Sequence, residues 1–393
     1  MAAVTGQDGR VTNHSGGPFT VVVYGGHGFF GQLVVEDLLA NTDARIVIAG
    51  RRAGQSPISP RVIFTTSDLN NAASVRAVLV GASVLVNCAG PYDSQPPILI
   101  HEAIAAGVHY VDLAEDREFV CAARACDEAA RRAGVAVMSG LSVVPGLTAL
   151  LAQMLRDRFD RVISIRTFVA PGTRGSRGSA TVRSLLGGAG RPLRVLREGR
   201  EYNARGWSEP EWIEFPPPVG WRLQYLAIET AGLDAPSRDF EAERVEFKAG
   251  SEFPWLNRSL AVVARLRALT GFPPLARLAD AMRIFLKLLG RFGTDAGGVL
   301  VEIAGTKKSE MFTEQAALTA ENHGERIPSL PAAIAVGALL RGELTARGAV
   351  PLSTWISRAR LFEEFRRRGL RWWLKPGGDF NWRALNNEAD FQT

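Results

Sequence analysis

The 393-residue sequence is poor in the residues that build disulfide-linked or zinc-stabilised domains. It contains three cysteines, Cys88, Cys121 and Cys126, and no Cys-x-x-Cys or Cys/His cluster. The lack of such a cluster argues against a metal site, and we expect none. A sparse, odd cysteine count also argues against a secreted, disulfide-built domain. We therefore expect a reducing compartment and a cytoplasmic location.

Long apolar runs are also missing. The uncharged stretch at residues 134–155 is interrupted by glycine, serine and proline, whereas a membrane-spanning helix needs about 18 or more apolar residues in a row. Residues 1–18 are polar and glycine-rich, without the apolar core of a signal peptide. We expect neither a spanning helix nor a leader, and we interpret residues 1–18 as a flexible tail.

Lysine is scarce as well, because it supplies only five of the 46 basic residues and arginine supplies the others. Most of these arginines are interspersed with acidic residues, whereas a nucleic-acid-binding domain gathers its basic residues on one face. The formal net charge of +6 therefore indicates a solvated surface. We expect no nucleic-acid partner.

What the sequence does contain is a regular alternation of short apolar segments and helical patterns up to about residue 150. This alternation predicts a Rossmann-type α/β domain at residues 19–150, with a doubly wound parallel sheet and right-handed crossovers. The predicted strands cover residues 19–24, 46–49, 62–64, 84–87, 109–113 and 135–139.

The remaining sequence has a different pattern, as expected for a chain too long for one core. Residues 161–169 alternate between apolar and polar side chains, and residues 299–304 can pair with residues 312–320. We predict a second, α+β domain with an antiparallel sheet at residues 151–328, serving substrate binding or dimerisation. Residues 329–393 carry helical patterns and a tail that we expect to pack back on the Rossmann domain.

A glycine motif links the first predicted strand to the first predicted helix. The pattern G-x-G-x-x-G in this context indicates a dinucleotide site, because the glycines allow a tight turn, close approach of a pyrophosphate and close packing of the helix. The phosphates are expected at the helix N-terminus, near its free N–H groups. The predicted residues are Gly25, Gly26, His27, Gly28, Phe29, Phe30 and Gly31.

The second predicted strand ends in Arg51 and Arg52 rather than in Asp or Glu. An acidic residue at this position binds the ribose hydroxyls of NAD, whereas guanidinium groups suit the 2′-phosphate of NADP. The sequence therefore favours NADP(H) as the cofactor. The alternative is that both arginines are exposed loop cations.

Further cofactor contacts are expected after the third and fourth predicted strands. Asp68 can meet the adenine edge, or it can cap the following helix. Small residues at the end of the fourth strand leave room for a ribose and a nicotinamide, and Cys88 is interpreted as a packing residue rather than a nucleophile. The residues of this second group are Cys88, Ala89, Gly90, Pro91 and Tyr92.

Two residues of the fifth predicted strand are candidates for catalysis. Tyr110 and Asp112 share one face of that strand, so that Tyr110 could donate a proton while Asp112 holds a protonated imine or tunes a donor. The alternative is that Tyr110 is a core residue with a satisfied hydroxyl and that Asp112 caps the helix beginning near Arg117 or binds backbone N–H groups. In the second domain, Arg174 and Arg177 lie in a glycine-rich loop that could bind a substrate carboxylate or phosphate, or that could simply be a surface loop.

Residues 255–292 combine apolar helical patterns with several arginines. Such a segment can lie on a membrane surface. The favoured alternative is a helix pair packed on its own domain, with the arginine head groups reaching water.

Four motifs resemble the saccharopine dehydrogenase-like family and its NADP-binding domain. They are VVVYGGHGFFG (residues 21–31), IAGRR (48–52), VLVNCAGPY (84–92) and AAGVHYVDLAED (105–116). Several lipid-related members carry Gly-Phe-Asp-Ser-[Ile/Val]-Pro after the sixth strand, where this sequence has GLSVVP (140–145). This difference argues against the enoyl-reductase branch of the family.

The resemblance implies an NADP-dependent dehydrogenase or reductase acting on a C=O, C=N or activated C=C bond of a small organic substrate. Two alternatives remain open, a regulatory or scaffold protein that binds NADP without turnover and a lipid-associated enoyl reductase. A homodimer is also left open.

Overall fold

The structure, a computed structural model, describes residues 4–5, 11–12, 18–51, 59–174, 182, 186–227, 240–271 and 279–391. The chain forms two compact units. The first unit comprises Met1–Ser142 and Pro328–Ile356, and the second comprises Val143–Ile327 and Ser357–Thr393. The chain therefore leaves the first unit after Ser142 and returns to it for one short segment.

A fully parallel, seven-stranded sheet forms the first unit, in the order β17-β8-β7-β6-β3-β4-β5. This confirms the predicted Rossmann-type sheet. The strand order reverses between β3 and β6, which is where doubly wound sheets bind ligands at the strands' carboxyl ends. The strands are β3 (Thr20–Tyr24), β4 (Arg45–Gly50), β5 (Val62–Thr66), β6 (Val84–Asn87), β7 (His109–Asp112), β8 (Ala136–Met138) and β17 (Gly348–Ala349).

Helices join these strands. They are α1 (Phe29–Asn41), α2 (Ala72–Leu79), α3 (Ile98–Ala105), α4 (Arg117–Ala125), α5 (Asp127–Arg132) and, from the returning segment, α9 (Leu330–Leu340). All eleven residues of α9 are buried, because it has no polar face and packs against α1 and β7. The two helices α4 and α5 are separated at Cys126, which ends the first and precedes the second.

A ten-stranded sheet forms the second unit, in the order β11-β10-β14-β9-β15-β16-β18-β19, with the hairpin β12–β13 attached to β14. All of its pairs are antiparallel except β14 with β9. This confirms the predicted α+β domain. The strands are β9 (Arg161–Ala170), β10 (Pro192–Arg197), β11 (Arg200–Arg205), β12 (Glu211–Glu214), β13 (Trp221–Leu226), β14 (Arg244–Ala249), β15 (Gly297–Lys307), β16 (Glu310–Ala320), β18 (Leu370–Lys375) and β19 (Arg383–Leu385).

Four α-helices are described in the second unit, α6 (Thr148–Leu155), α7 (Pro254–Thr270), α8 (Ala279–Leu289) and α10 (Arg358–Arg367). Helix α6 packs on β15 and β16, and the hydroxyls of Thr148 and Thr167 lie 3.2 Å apart between α6 and β9. Short 3-10 turns at Arg156–Arg158, Gly290–Phe292, Gly324–Ser329 and Glu388–Phe391 complete the description, together with a π-type turn at Val143–Leu147. Among the described residues, no helix has both the length and the apolar character needed to cross a lipid bilayer.

The C-terminal part of the chain is divided, whereas we expected residues 329–393 to pack together on the first domain. Helix α9 and strand β17 do belong to the first unit, but Ser357–Thr393 belong to the second. The reason is that β18 pairs with β16 and buries Trp372, which stacks on Phe362 and meets Phe391 edge to face. At the other end, β1 (Val4–Thr5) pairs with β2 (Val11–Thr12) within the predicted tail, most of which lies outside the described residues.

Candidate functional site

Two glycines of the loop after β3 lie so close to other backbone atoms that a side chain would not fit at either position. Gly25 has φ +77°, and a Cβ on it would lie 2.8 Å from Ala89 N in the loop after β6. A Cβ on Gly31 would lie 2.3 Å from Gly25 O, so the third glycine lets α1 pack against the loop. A Cβ on Gly26 would lie 2.9 Å from the Ile48 side chain. Gly25 and Gly31 are therefore required by the fold itself, whereas a side chain on Gly26 would have to displace Ile48.

Gly28 differs from its neighbours because the fold does not require it to be glycine. Its backbone is extended, with φ −73° and ψ 166°, and a Cβ there would meet only Gly25 O at 3.1 Å. Gly28 is exposed and precedes α1, which has no side-chain cap. The first N–H groups of an uncapped helix are free to bind an anion. The exposed backbone of Gly28, next to the uncapped N-terminus of α1, therefore fits the pyrophosphate of a dinucleotide.

The aromatic residues of the motif lie on either side of this position. Phe29 and Phe30 meet edge to face with ring centroids 5.2 Å apart in the first turn of α1. His27 stacks on Phe64 of β5, with centroids 5.1 Å apart and an angle of 11° between the rings. The Nε2 atom of His27 is buried and has no hydrogen-bond partner in the described structure. This stack could not be predicted from local sequence patterns, because its partners lie 37 positions apart.

Arg51 follows β4 directly and is exposed, and it makes no ion pair within the described part of the chain. Arg52 lies outside the described residues. Asp68 is exposed, and its Oδ1 accepts from the N–H of Asn70 at 3.0 Å. The cap of α2 is Asn71, which accepts from Ala73 and Ser74. The alternative interpretation of Asp68 as the helix cap is therefore wrong, and its adenine role remains a prediction.

The loop after β6 is organised by Asn87, a fully buried residue. Its Oδ1 accepts from the N–H of Ala89 at 3.0 Å, and its Nδ2 donates to Gln95 and to the hydroxyl of Tyr110. The hydroxyl of Tyr92 donates to the carbonyl of Asn87 at 2.8 Å. Asn87 thereby shapes the segment that carries Cys88, Gly90 and Pro91. The Gly90–Pro91 peptide bond is cis.

Burial shifts the pKa values of two side chains in this segment. It raises the pKa of the Cys88 thiol, so the thiol stays protonated and is a poor nucleophile. The same cause raises the pKa of Tyr92 well above its usual value.

Tyr110 and Asp112 lie on β7 with no solvent exposure. Burial raises the pKa of Tyr110 well above its ordinary value and that of Asp112 to about 6. Asp112 Oδ1 accepts from the N–H groups of Ala114 and Gly140, at 2.9 Å and 2.7 Å, while its Oδ2 has no hydrogen-bond partner in the described structure. These contacts are those of the alternative in which Asp112 binds backbone N–H groups, whereas its expected role as a helix cap is wrong because Asp116 caps α4. The catalytic roles of Tyr110 and Asp112 remain predictions.

Glu115 is a titratable residue at this edge that the sequence did not single out. It lies three residues beyond the end of β7, is partly exposed, and accepts from the Ser142 hydroxyl at 3.2 Å. Although the residue is partly exposed, the surrounding protein desolvates its carboxyl group and raises the pKa of Glu115 to about 7. The only signal was the motif AED at residues 114–116, in which Asp116 turned out to cap α4.

The predicted substrate-binding arginines belong to the second unit. Arg174 is exposed and its Nη1 lies 3.8 Å from Asp295 Oδ2. Arg177 lies outside the described residues. Within the described part of the chain, no group of three or more His, Cys, Asp or Glu side chains could hold a metal ion.

Comparison with known proteins agrees with this geometry. Residues 21–138 match the family model of the saccharopine dehydrogenase NADP binding domain. These residues form an NADP-binding domain of the saccharopine dehydrogenase type. The resemblance noted in the sequence is thus confirmed, and so is NADP(H) as the cofactor.

Curated relatives match a limited part of the chain. A candidate trans-acting enoyl reductase of Mycobacterium tuberculosis is 33% identical over 113 residues, which cover 26% of this chain and 26% of that protein. The human saccharopine dehydrogenase-like oxidoreductase is 27% identical over 124 residues, which cover 26% of this chain and 29% of that protein. The matched region therefore spans only about a quarter of each relative's length.

The fold of the whole chain also has a solved counterpart. Saccharopine dehydrogenase (L-Glu forming) from Saccharomyces cerevisiae superposes with a TM-score of 0.66 at 16% identity, covering 91% of this chain and 99% of that one. The chain, with its NADP-binding domain and its second domain, therefore has the same fold as that protein.

Proposed function

We propose that the protein is an NADP-dependent oxidoreductase acting on a C=O, C=N or activated C=C bond of a small organic substrate. The bound cofactor supplies or accepts the hydride in such a reaction. The observation that carries the proposal is the exposed backbone of Gly28 at the carboxyl edge of a parallel sheet that also carries a protonatable side chain, Glu115. Gly25, Gly28, Gly31 and Arg51 are the residues that we propose to hold the dinucleotide.

Reduction of these bonds also consumes a proton, and we propose that Glu115 donates it. A glutamic acid with a pKa of about 7 is partly protonated at neutral pH, whereas an ordinary one is almost fully ionised. The Ser142 hydroxyl donates to Oε1 and thereby orients the carboxyl group. In the lipid-related members the motif places Asp at the position of Ser142, so this chain has a hydroxyl group where those members carry a carboxyl group.

Tyr110 and Asp112 remain in the proposed site as positioning residues. Asp112 binds the N–H groups of Ala114 and Gly140, the residues next to Glu115 and close to Ser142 in sequence. Tyr110 is linked through Asn87 to the N–H of Ala89. Arg174 remains a proposed anchor for an anionic substrate group. The cytoplasm remains our proposal for the location, because the sequence has a sparse and odd number of cysteines.

The test is NADPH oxidation by the full-length chain across a panel of ketoacids, imines and enoyl thioesters. With a substrate found, Glu115→Gln is expected to lower kcat by roughly 100-fold or more, because general acid catalysis typically contributes that much. It should leave the Kd for NADPH within about twofold, since Glu115 is assigned no contact with the dinucleotide phosphates. Glu118→Gln, at an exposed position of α4, is the matched control and should behave like the wild type.

The pH profile separates a proton donor from a merely structural carboxyl group. In the wild type, kcat for reduction should fall as pH rises through about 7, because Glu115 loses its proton there. Glu115→Gln should abolish that fall. Tight NADPH binding without turnover on any compound would contradict the proposal and favour the regulatory or scaffold alternative. Turnover confined to enoyl thioesters would support the enoyl-reductase alternative, which the M. tuberculosis relative's name also suggests.

A further inference from the structure

Helices α7 and α8 expose an unusual amount of apolar surface. Sixteen large apolar side chains are exposed among the described residues, and nine of them lie between Pro254 and Phe292. On α7, Trp255, Val262, Leu266 and Leu269 are 49%, 59%, 52% and 77% exposed. Their spacing places them on a single stripe of the helix.

The opposite face of α7 is firmly attached to the second unit. Asn257, Ala264 and Arg267 are buried on that face. Asn257 donates to the carbonyl of Leu223, and Arg267 donates to the carbonyl of Ala189 at 2.7 Å. The helix pair therefore packs on its own domain, as the sequence favoured. The exposed stripe of α7 is a second apolar face, distinct from the buried face that contacts the domain.

Helix α8 extends this exposed surface. Ile284, Phe285 and Leu288 are 56%, 41% and 58% exposed. Trp255 of α7 meets Phe285 edge to face, with ring centroids 6.4 Å apart, so the two exposed faces are continuous. We call this continuous area, formed by the exposed side chains of α7 and α8, the apolar-basic surface. Contiguous exposed apolar areas of this kind mark interaction sites in folded proteins.

The charges on the apolar-basic surface are almost all positive. Its exposed cations are Arg258, Arg265, Arg283, Lys287 and Arg291. Asp280 is the one acidic residue in the sequence from 254 to 292, and it lies 4.0 Å from Arg283. Arg258 and Arg265 are three and ten residues beyond Trp255. At about 3.6 residues per turn, this spacing places both of them along one edge of the apolar stripe of α7. Apolar side chains bordered by long cationic side chains suit a boundary at which anionic head groups separate water from an apolar layer.

We propose that the apolar-basic surface docks the protein on an anionic lipid bilayer, with α7 and α8 lying in the plane of the interface. The apolar stripe enters the boundary between head groups and acyl chains, and the cations contact the lipid phosphates. A second copy of this chain is a poorer occupant, because a symmetric dimer would bring the same cations of both copies together. An anionic lipid surface neutralises them instead.

The experiment is flotation of the full-length protein with vesicles of phosphatidylcholine alone or of an equal mixture of phosphatidylcholine and phosphatidylglycerol. We expect binding to the anionic vesicles that weakens with added salt. Leu266→Ser with Leu269→Ser should reduce the vesicle affinity by about tenfold or more, through lost apolar burial. Arg258→Glu with Arg265→Glu should reduce it at least as strongly, since each basic residue contributes roughly fivefold.

Met311→Ser is the matched control, because Met311 is 63% exposed on β16 of the same unit but lies outside the apolar-basic surface. It should bind vesicles like the wild type. The NADPH affinity of every variant should be unchanged, which verifies that the variants are folded. Wild-type protein that stays unbound with anionic vesicles would overturn the proposal, as would variants that bind normally. A concentration-dependent dimer in sedimentation equilibrium that the same substitutions dissociate would also overturn it and assign the surface to self-association.

Discussion

The backbone of Ala89 lies so close to Gly25 that a Cβ on Gly25 would be 2.8 Å from both the N and the Cα of Ala89. The two residues belong to the loops after β6 and β3, the neighbouring strands at which the sheet order reverses. Gly25 also has φ +77°, a conformation that costs other residues energy. This contact sets the distance between the two loops that we propose to hold the dinucleotide.

Gly25→Ala should therefore damage both the fold and the cofactor site. We expect the free energy of unfolding to fall by about 3 kcal/mol, from the positive φ and the contact with Ala89. NADPH binding should weaken because the loops after β3 and β6 are forced apart. Denaturant unfolding and fluorescence titration with NADPH measure the two effects.

Gly28→Val provides the contrasting variant, because Gly28 has an ordinary backbone conformation and a Cβ there would make a single close contact, with Gly25 O at 3.1 Å. Its free energy of unfolding should stay within about 1 kcal/mol of the wild type. NADPH and NADH binding should nevertheless be lost, since the added side chain fills the expected pyrophosphate position. Normal NADPH binding by Gly28→Val would show that the glycine loop is not the phosphate site.

Arg51 is predicted to distinguish NADPH from NADH. Arg51→Asp replaces an exposed cation at the end of β4 with an anion that repels the 2′-phosphate. The Kd for NADPH should rise by roughly 10- to 100-fold, the range expected for losing one charged hydrogen bond. The Kd for NADH should change little. Arg76→Asp, at an exposed position of α2, is a control of equal charge change, and equal effects of Arg51→Asp on both cofactors would contradict the assignment.

Asp112 can be tested as a positioning residue by comparing two substitutions. Asp112→Ala removes the acceptor of two N–H groups, those of Ala114 and Gly140, and should lower the free energy of unfolding by about 3 kcal/mol. Asp112→Asn keeps one acceptor oxygen and should retain stability and most of kcat. If Asp112→Asn remained stable but lost kcat by about 100-fold, Asp112 would have the catalytic role that its strand position first suggested.

His109 predicts a specific pH dependence of stability. Its Nδ1 accepts from the N–H of Ala136 at 2.9 Å, and burial, assisted by the charge of Arg347, lowers its pKa from 6.5 to about 4. Between these values the unfolded chain takes up a proton that the folded protein excludes. The stability that neutral His109 contributes is therefore complete above pH 6.5 and is lost as the pH falls through about 4.

Replacing His109 should remove this loss. Between about pH 7 and about pH 4.5, His109→Gln should lose roughly 2 kcal/mol less unfolding free energy than the wild type. The matched control is His323→Gln, because the His323 side chain is 68% exposed, and this variant should follow the wild-type curve. Parallel pH curves for the wild type and His109→Gln would contradict the buried, neutral state of His109.

Features that depend on neighbouring residues were the most predictable from sequence. The strands β3, β4, β6, β7 and β8 were located to within a few residues, because β-branched runs bounded by glycine and charged residues indicate buried parallel strands. The glycine loop was located because its function requires a fixed spacing. By contrast, β17 has only two residues and no pattern of its own, so it could be seen only once paired with β8.

The candidate site was predictable only in part. The sequence identified the glycine loop and Arg51, since both follow directly from strand ends. It did not identify Glu115, because the pKa of that residue depends on burial and on Ser142, 27 positions away. It also could not decide whether Tyr110 and Asp112 were buried or open to a ligand.

By itself, the sequence determined a dinucleotide-binding Rossmann domain and its preference for NADP(H), because periodicity and a glycine motif are local properties of the chain. Only the tertiary structure decided how Gly25 meets Ala89, which carboxyl group near β7 is partly exposed, and which face of α7 remains uncovered. Exposure and ionisation depend on what the rest of the chain places around a side chain. Residues distant in sequence therefore determine the exposure and the pKa of each candidate at the carboxyl edge of the sheet.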